Sequence, residues 1–125
     1  MRKQYHFWPG AHRLDAWDVD RLIALSAPLP VEEIGLESIG EFDSVYWFGE
    51  GFPPPTVRQV AEHARLIAAV DLAYPVILGP DGRVMDGMHR IARAFLDGHP
   101  SVLARRLPEL PEPDYTNCLP AELPY

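Results

Sequence analysis

The feature that most constrains this chain is the stretch Arg83 to Phe95, "RVMDGMHRIARAF", where the spacing of apolar residues changes at Asp86-Gly87. Before that point lies a short β-rich run. After it, Ile91, Ala92, Phe95 and Leu96 recur at helical spacing. A strand therefore has to end, the chain has to turn on Asp-Gly, and a helix has to begin within a few residues. Upstream, "YPVIL" and "RVM" flank "GPDG", which is turn chemistry and predicts a hairpin. Downstream, Gly98 supplies a helix stop and "SVLARRL" a final strand.

The rest of the chain is arranged around this unit. Thr56 with Gln59 three residues on forms a capping box, and Val57, Val60, Ala61, Ala64, Ile67 and Ala68 line one face of the predicted helix. "EFDSVYWFGEGFPPP", Glu41 to Pro55, excludes a regular element and reads as a long ordered loop. "VEEIGLESI" predicts a short strand with Ile34 and Leu36 alternating, and a turn starting at Glu37-Ser38. Residues 1–30 read as an N-terminal extension with one helix. Asp15 or Asp18 caps it, Val19, Leu22 and Ile23 share a face, and Pro28 ends the run. The expected order is α, β, loop, α, β, β, α, β. After Leu107, five prolines in eighteen residues are too many for an internal strand or helix. Residues 108–125 thus form an extended tail that wraps the domain or reaches for a partner. The fold class is α+β, with a mixed sheet and helices in one small domain over residues 31–107.

Composition narrows the class. With 125 residues and 47 % hydrophobic content, the chain is one globular domain with a real core. No apolar run approaches the ~20 residues of a membrane span, and the basic start lacks the apolar stretch of a secretory signal. Cys118 has no partner for an internal disulfide, so a reducing cytoplasm is the expected setting. A formal net charge of −7 argues against DNA, since duplex affinity draws on Lys and Arg neutralising phosphates. A small anion held by a few local donors is still compatible with that charge.

Such donors gather at the strand–helix join. Met88, His89 and Arg90 fall in the first helical turn, where backbone N–H groups lack intrahelical partners and the dipole is positive. Gly87 lets a ligand approach the backbone, Arg90 can fork onto a phosphate, and His89 can donate or shuttle a proton. Arg93, one turn from Arg90, can serve the same polyanion. Asp86 can cap the helix, hold a metal that accompanies a nucleotide, or accept a proton. The plainer reading has equal weight on these residues alone: Asp-Gly is a common helix start. His63, near the apolar border of its helix, reads as a packing or hydrogen-bonding histidine. His6, His12 and His99 show no ligand spacing, and no protein-only metal site is expected.

"GPDGRVMDGMHRIARAFLDGHPSVLARRL" resembles the core of the ParB/sulfiredoxin superfamily, whose hairpin of the form "PIxVxxDGxVxDGxHRxxA" leads into a helix and a closing strand. The resemblance covers roughly residues 31–107 and is most specific at Asp81-Gly82, Asp86-Gly87 and His89-Arg90. It implies phosphate binding by Gly87, the Met88 backbone, His89 and Arg90, with ATP, ADP or CTP and Mg²⁺ as ligands. Sulfiredoxins carry a nucleophilic cysteine where this chain has Met88, so it implies no sulfiredoxin activity. ParB proteins use a Glu-Arg-Arg turn and append a helix-turn-helix domain that this chain has no room for. The motif is most similar to the "DGHHR" of ADP-dependent free serine kinases. That similarity implies Glu50, in the loop before the capped helix, as catalytic base beside Asp86. Tyr46, Trp47 and Phe48 either cover a nucleobase or plug the core. Two functions are therefore expected in competition: a small phosphotransferase or nucleotide hydrolase, and a non-catalytic nucleotide-sensing module that docks a protein partner through its tail.

Overall fold

A computed structural model describes residues 3–48 and 53–125. Among them are three α-helices and seven strands in two sheets, an α+β arrangement. The hairpin forms one side of the larger sheet, with its second strand at the edge. Strands β4 (Val76–Leu78) and β5 (Val84–Asp86) pair antiparallel around the Gly79–Arg83 turn. Strand β6 (Ser101–Arg106) then runs parallel to β4, and β3 (Glu32–Gly35) pairs antiparallel with the far edge of β6. The order β3-β6-β4-β5 makes a mixed sheet, as expected.

Successive strand residues face opposite sides. Val76, Leu78 and Val84 therefore join Met88, Ile91 and Ala94 of helix α3 (Met88–Leu96) in one core. Ile77 and Met85 point the other way, to Trp17, Leu22 and Leu107. Burial on both faces is why "VIL" reads as a continuous apolar run and not as an alternation. Helix α3 ends in a Schellman arrangement: Gly98, at φ +78°, donates to Phe95 O while His99 donates to Ala94 O.

The second sheet departs from the expected order of elements. Residues 1–30 are more than a helical extension: β1 (Tyr5–Pro9) and β2 (Leu14–Asp18) form a hairpin before α1 (Val19–Ser26), which Asp18 caps by accepting from Asp20 N. The tail supplies β7 (Tyr115–Cys118), which pairs antiparallel with β2 and completes the order β1-β2-β7. Its prolines are compatible with this because β7 is an edge strand of four residues containing none. Of the two roles expected for the tail, wrapping is the one observed. Trp17 Nε1 donates to Pro111 O at 2.8 Å, Asp18 N to Asp114 Oδ2 at 2.8 Å, and Arg21 Nη1 to Glu112 O at 2.7 Å.

Other expectations shift locally. Strand β3 stops at Gly35, and Leu36 is buried from a 3₁₀ turn, Leu36–Ser38. The aromatic loop holds a second such turn, Gly40–Asp43. Helix α2 (Val57–Ala69) begins with the expected Thr56–Gln59 capping box. Its predicted face is not its buried one: Val57 is 88 % and Val60 52 % exposed, while His63 and Ile67 are half-buried. Hydrogen bonding and stacking at His63, described below, set the helix rotation, and a stripe of Val and Ala offers too little area to override it. Likewise Phe95 and Leu96 are exposed in α3, and Ile23 is largely exposed in α1.

Candidate functional site

The strand–helix join is built as the period change requires. Gly87 adopts φ +114°, and a Cβ there would lie 2.6 Å from Val76 Cγ1, so conformation and space both demand glycine. Arg90 N and Ile91 N donate to Gly87 O, which leaves the amides of Met88 and His89 without intrahelical acceptors. The N-cap is Gly87, and no side chain caps the helix, so the capping role expected of Asp86 is not realised.

Asp86 instead accepts from Arg90 Nη2 at 2.7 Å, with both side chains about 15 % exposed. Arg90 Nη1 also donates to the carbonyls of Tyr74, at 3.0 Å, and Pro75, at 2.8 Å. Its guanidinium thus ties the entrance of β4 to the end of β5 and is not presented as an open fork. Burial pushes the Asp86 carboxyl above its ordinary range, and Arg90 only partly offsets this. Arg93 is also committed. It donates to Ala68 O at 2.6 Å and to Asp97 at 3.0 Å, placing a cation at the C-terminal end of α2. The two arginines therefore serve different carbonyl groups and do not form one polyanion clamp.

His89 meets a partner from α2. His63 Nδ1 lies 2.8 Å from His89 Nε2, with the ring centroids 5.1 Å apart and the planes within 18°. The imidazoles therefore lie nearly edge to edge in one plane. Trp47 stacks across both, 4.5 Å from each centroid and tilted 21° and 15° from them. These separations form an isosceles triangle whose height, about 3.7 Å, is a van der Waals stacking distance. Burial, then His63 and Arg90, pull the His89 imidazole down to about 4, so it is neutral at pH 7. Burial lowers His63 as well.

Trp47 and Tyr46 of the aromatic loop are partly buried against the core. Glu50 lies outside the described residues. Among the described residues of the loop, Glu41 reaches the start of β5, where its Oε1 accepts from Val84 N at 2.6 Å; burial raises its pKa. No local sequence signal marks Glu41, because the strand it bonds lies forty-three positions away. His63 is a hydrogen-bonding histidine, and its partner on α3 is equally remote from any local signal. Among the described residues, no group of three or more His, Cys, Asp or Glu is placed to hold a metal ion, and no helix is long and apolar enough to cross a membrane.

No protein-family model, curated protein or solved structure matches the chain.

Proposed function

We propose that this chain is a ParB/sulfiredoxin-like protein that binds the phosphates of a nucleotide at the start of α3. The observation that carries this reading is the left-handed Gly87, which launches a nine-residue helix with the Met88 and His89 amides unpartnered within it. Neutral His89 has Nδ1 as its remaining ring nitrogen for such an anion, since Nε2 is taken by His63. Arg90 contributes a positive charge, and a direct fork onto phosphate requires it to leave Asp86. Mg²⁺ would arrive with ATP, ADP or CTP, and Asp86 is the nearest carboxylate in sequence to offer it.

Binding without consumption is the favoured form of this reading. Asp86, the residue expected to orient a hydroxyl or metal, is engaged by Arg90, and Trp47 covers the ring of His89. A phosphotransferase or nucleotide hydrolase using Asp86 and Glu50 is the second form, supported by the likeness of "DGMHR" to the serine kinase motif. Docking of a protein partner through the tail could use Leu110, Leu119 and Tyr125, which are exposed while β7 stays paired with β2.

Calorimetric titration with ATP, ADP and CTP, each with Mg²⁺, tests the proposal, with nucleotide consumption assayed in the same samples. Saturable binding without product is the expected result. Product formation transfers the reading to the enzyme, and absence of binding by all three contradicts it.

A further inference from the structure

Beside the α3 start lies a cleft of about 150 Å³, bordered by Phe42, Tyr46 and Trp47 of the aromatic loop and by Met88 and Ala92 of α3. Glu41, Ser44, Val45 and Phe48 complete the wall. An engineered apolar cavity of about this volume accepts benzene, so the space suits one flat ring system. Its chemistry is selective. Phe42, Tyr46, Trp47 and Phe48 supply faces and edges for stacking, Met88 supplies a polarizable sulfur, and Glu41 and Ser44 supply polar groups in a mostly apolar lining. Trp47 is braced: its indole stacks on the coplanar His63–His89 pair, which holds this part of the wall in place. Glu41 is fixed too, with Oε1 held by Val84 N.

We propose that this cleft is a subsite for the heterocyclic base of a nucleotide, stacked among the loop aromatics with Glu41 accepting from a ring N–H or amino group. The identity of the ring rests on the nucleotide reading above; the cleft, its size and its lining do not. Met88 links the two regions, because its side chain borders the cleft while its amide opens α3. One ligand then spans both, with the base under the loop and phosphates at the helix start.

The test uses the full chain with three probes, adenosine, tripolyphosphate and ATP, followed by calorimetry and tryptophan emission. Adenosine alone is expected to bind saturably and quench emission, and ATP to bind at least about tenfold more tightly than tripolyphosphate. Ala92→Phe fills the cleft from α3 and should abolish the adenosine response; Ala92→Val, a smaller filling, should weaken it while preserving the melting temperature. Glu41→Gln keeps an acceptor for Val84 N but loses the charge, and should weaken adenosine about tenfold. Tripolyphosphate binding without adenosine binding, or equal affinity for ATP and tripolyphosphate, overturns the base subsite and leaves the phosphate reading intact. Adenosine binding that phosphates do not improve supports the subsite and overturns the phosphate reading. Adenosine binding indifferent to both Ala92 variants places the base elsewhere and overturns this assignment.

Discussion

Arg90 donates to Asp86 at 2.7 Å while the same guanidinium holds the carbonyls of Tyr74 and Pro75. The arginine of the motif is therefore a structural clasp before it is anything else. Arg90→Ala leaves the raised Asp86 carboxyl without its cation and frees two carbonyls, and should cost about 3 kcal/mol. Arg90→Lys should recover little, because an ammonium cannot reproduce the fork. Asp86→Asn, which keeps an acceptor, should cost only about 1 kcal/mol. Urea denaturation of the three variants measures this, and an Arg90→Ala protein as stable as the parent would show that the clasp contributes nothing.

Gly87 tolerates no side chain. At φ +114°, with Val76 Cγ1 only 2.6 Å from where a Cβ would sit, any other residue combines conformational strain with overpacking. Gly87→Ala should lower stability by about 3 kcal/mol. Gly35, by contrast, has nothing within 4 Å of a Cβ, and Gly35→Ala should change the denaturation midpoint little. Urea melts of the two variants side by side make the comparison.

His6 is 8 % exposed between Trp8 and Trp17, and its Nε2 has no hydrogen-bond partner. Burial, with Arg83 adding, pulls its pKa down to about 4, against 6.5 for the free side chain. Between those values the unfolded chain takes up a proton that the fold refuses, so stability falls as pH drops from 6.5 towards 4 and levels below. His89 acts in the same sense, while the raised Asp86 and Glu41 act oppositely. Comparison with His6→Phe isolates the first effect. That variant should be about 1 kcal/mol more stable at pH 7, and the gap should widen by pH 5. A gap independent of pH would contradict the neutral, buried imidazole.

The tail is fastened to the N-terminal hairpin by Asp114, which accepts from Asp18 N and pairs with Arg21 at 3.0 Å. Asp114→Ala should cost about 1–2 kcal/mol and expose the segment after Leu107 to proteases. Limited proteolysis followed by mass spectrometry reads the cleavage site; unchanged resistance would mean that other contacts seat β7.

What the sequence revealed was what nearby residues determine. The Thr56–Gln59 box, the Gly79–Arg83 turn, the glycine stop at Gly98 and the change of period at Asp86-Gly87 all depend on neighbours within four or five positions. In the β1-β2-β7 sheet, β7 joins β2 through residues about a hundred positions apart, such as Leu14 with Cys118, and the local β1-β2 hairpin was hidden instead because its short strands show little alternation. The site divides in the same way. Gly87 and the unpartnered amides were legible, whereas the employment of Arg90 and Arg93 as carbonyl clasps was not, because their acceptors are backbone atoms sixteen and twenty-five residues earlier. The His63–His89 bond and Glu41 were hidden for the same reason.

The central claim, that the start of α3 binds nucleotide phosphate, is tested most directly by amide chemical shifts of the ¹⁵N-labelled protein during titration with ATP and Mg²⁺. The account predicts saturable shifts centred on the Gly87, Met88 and His89 amides, reproduced in part by tripolyphosphate. Saturable shifts elsewhere with these three amides unmoved, or no shifts at all, would contradict it.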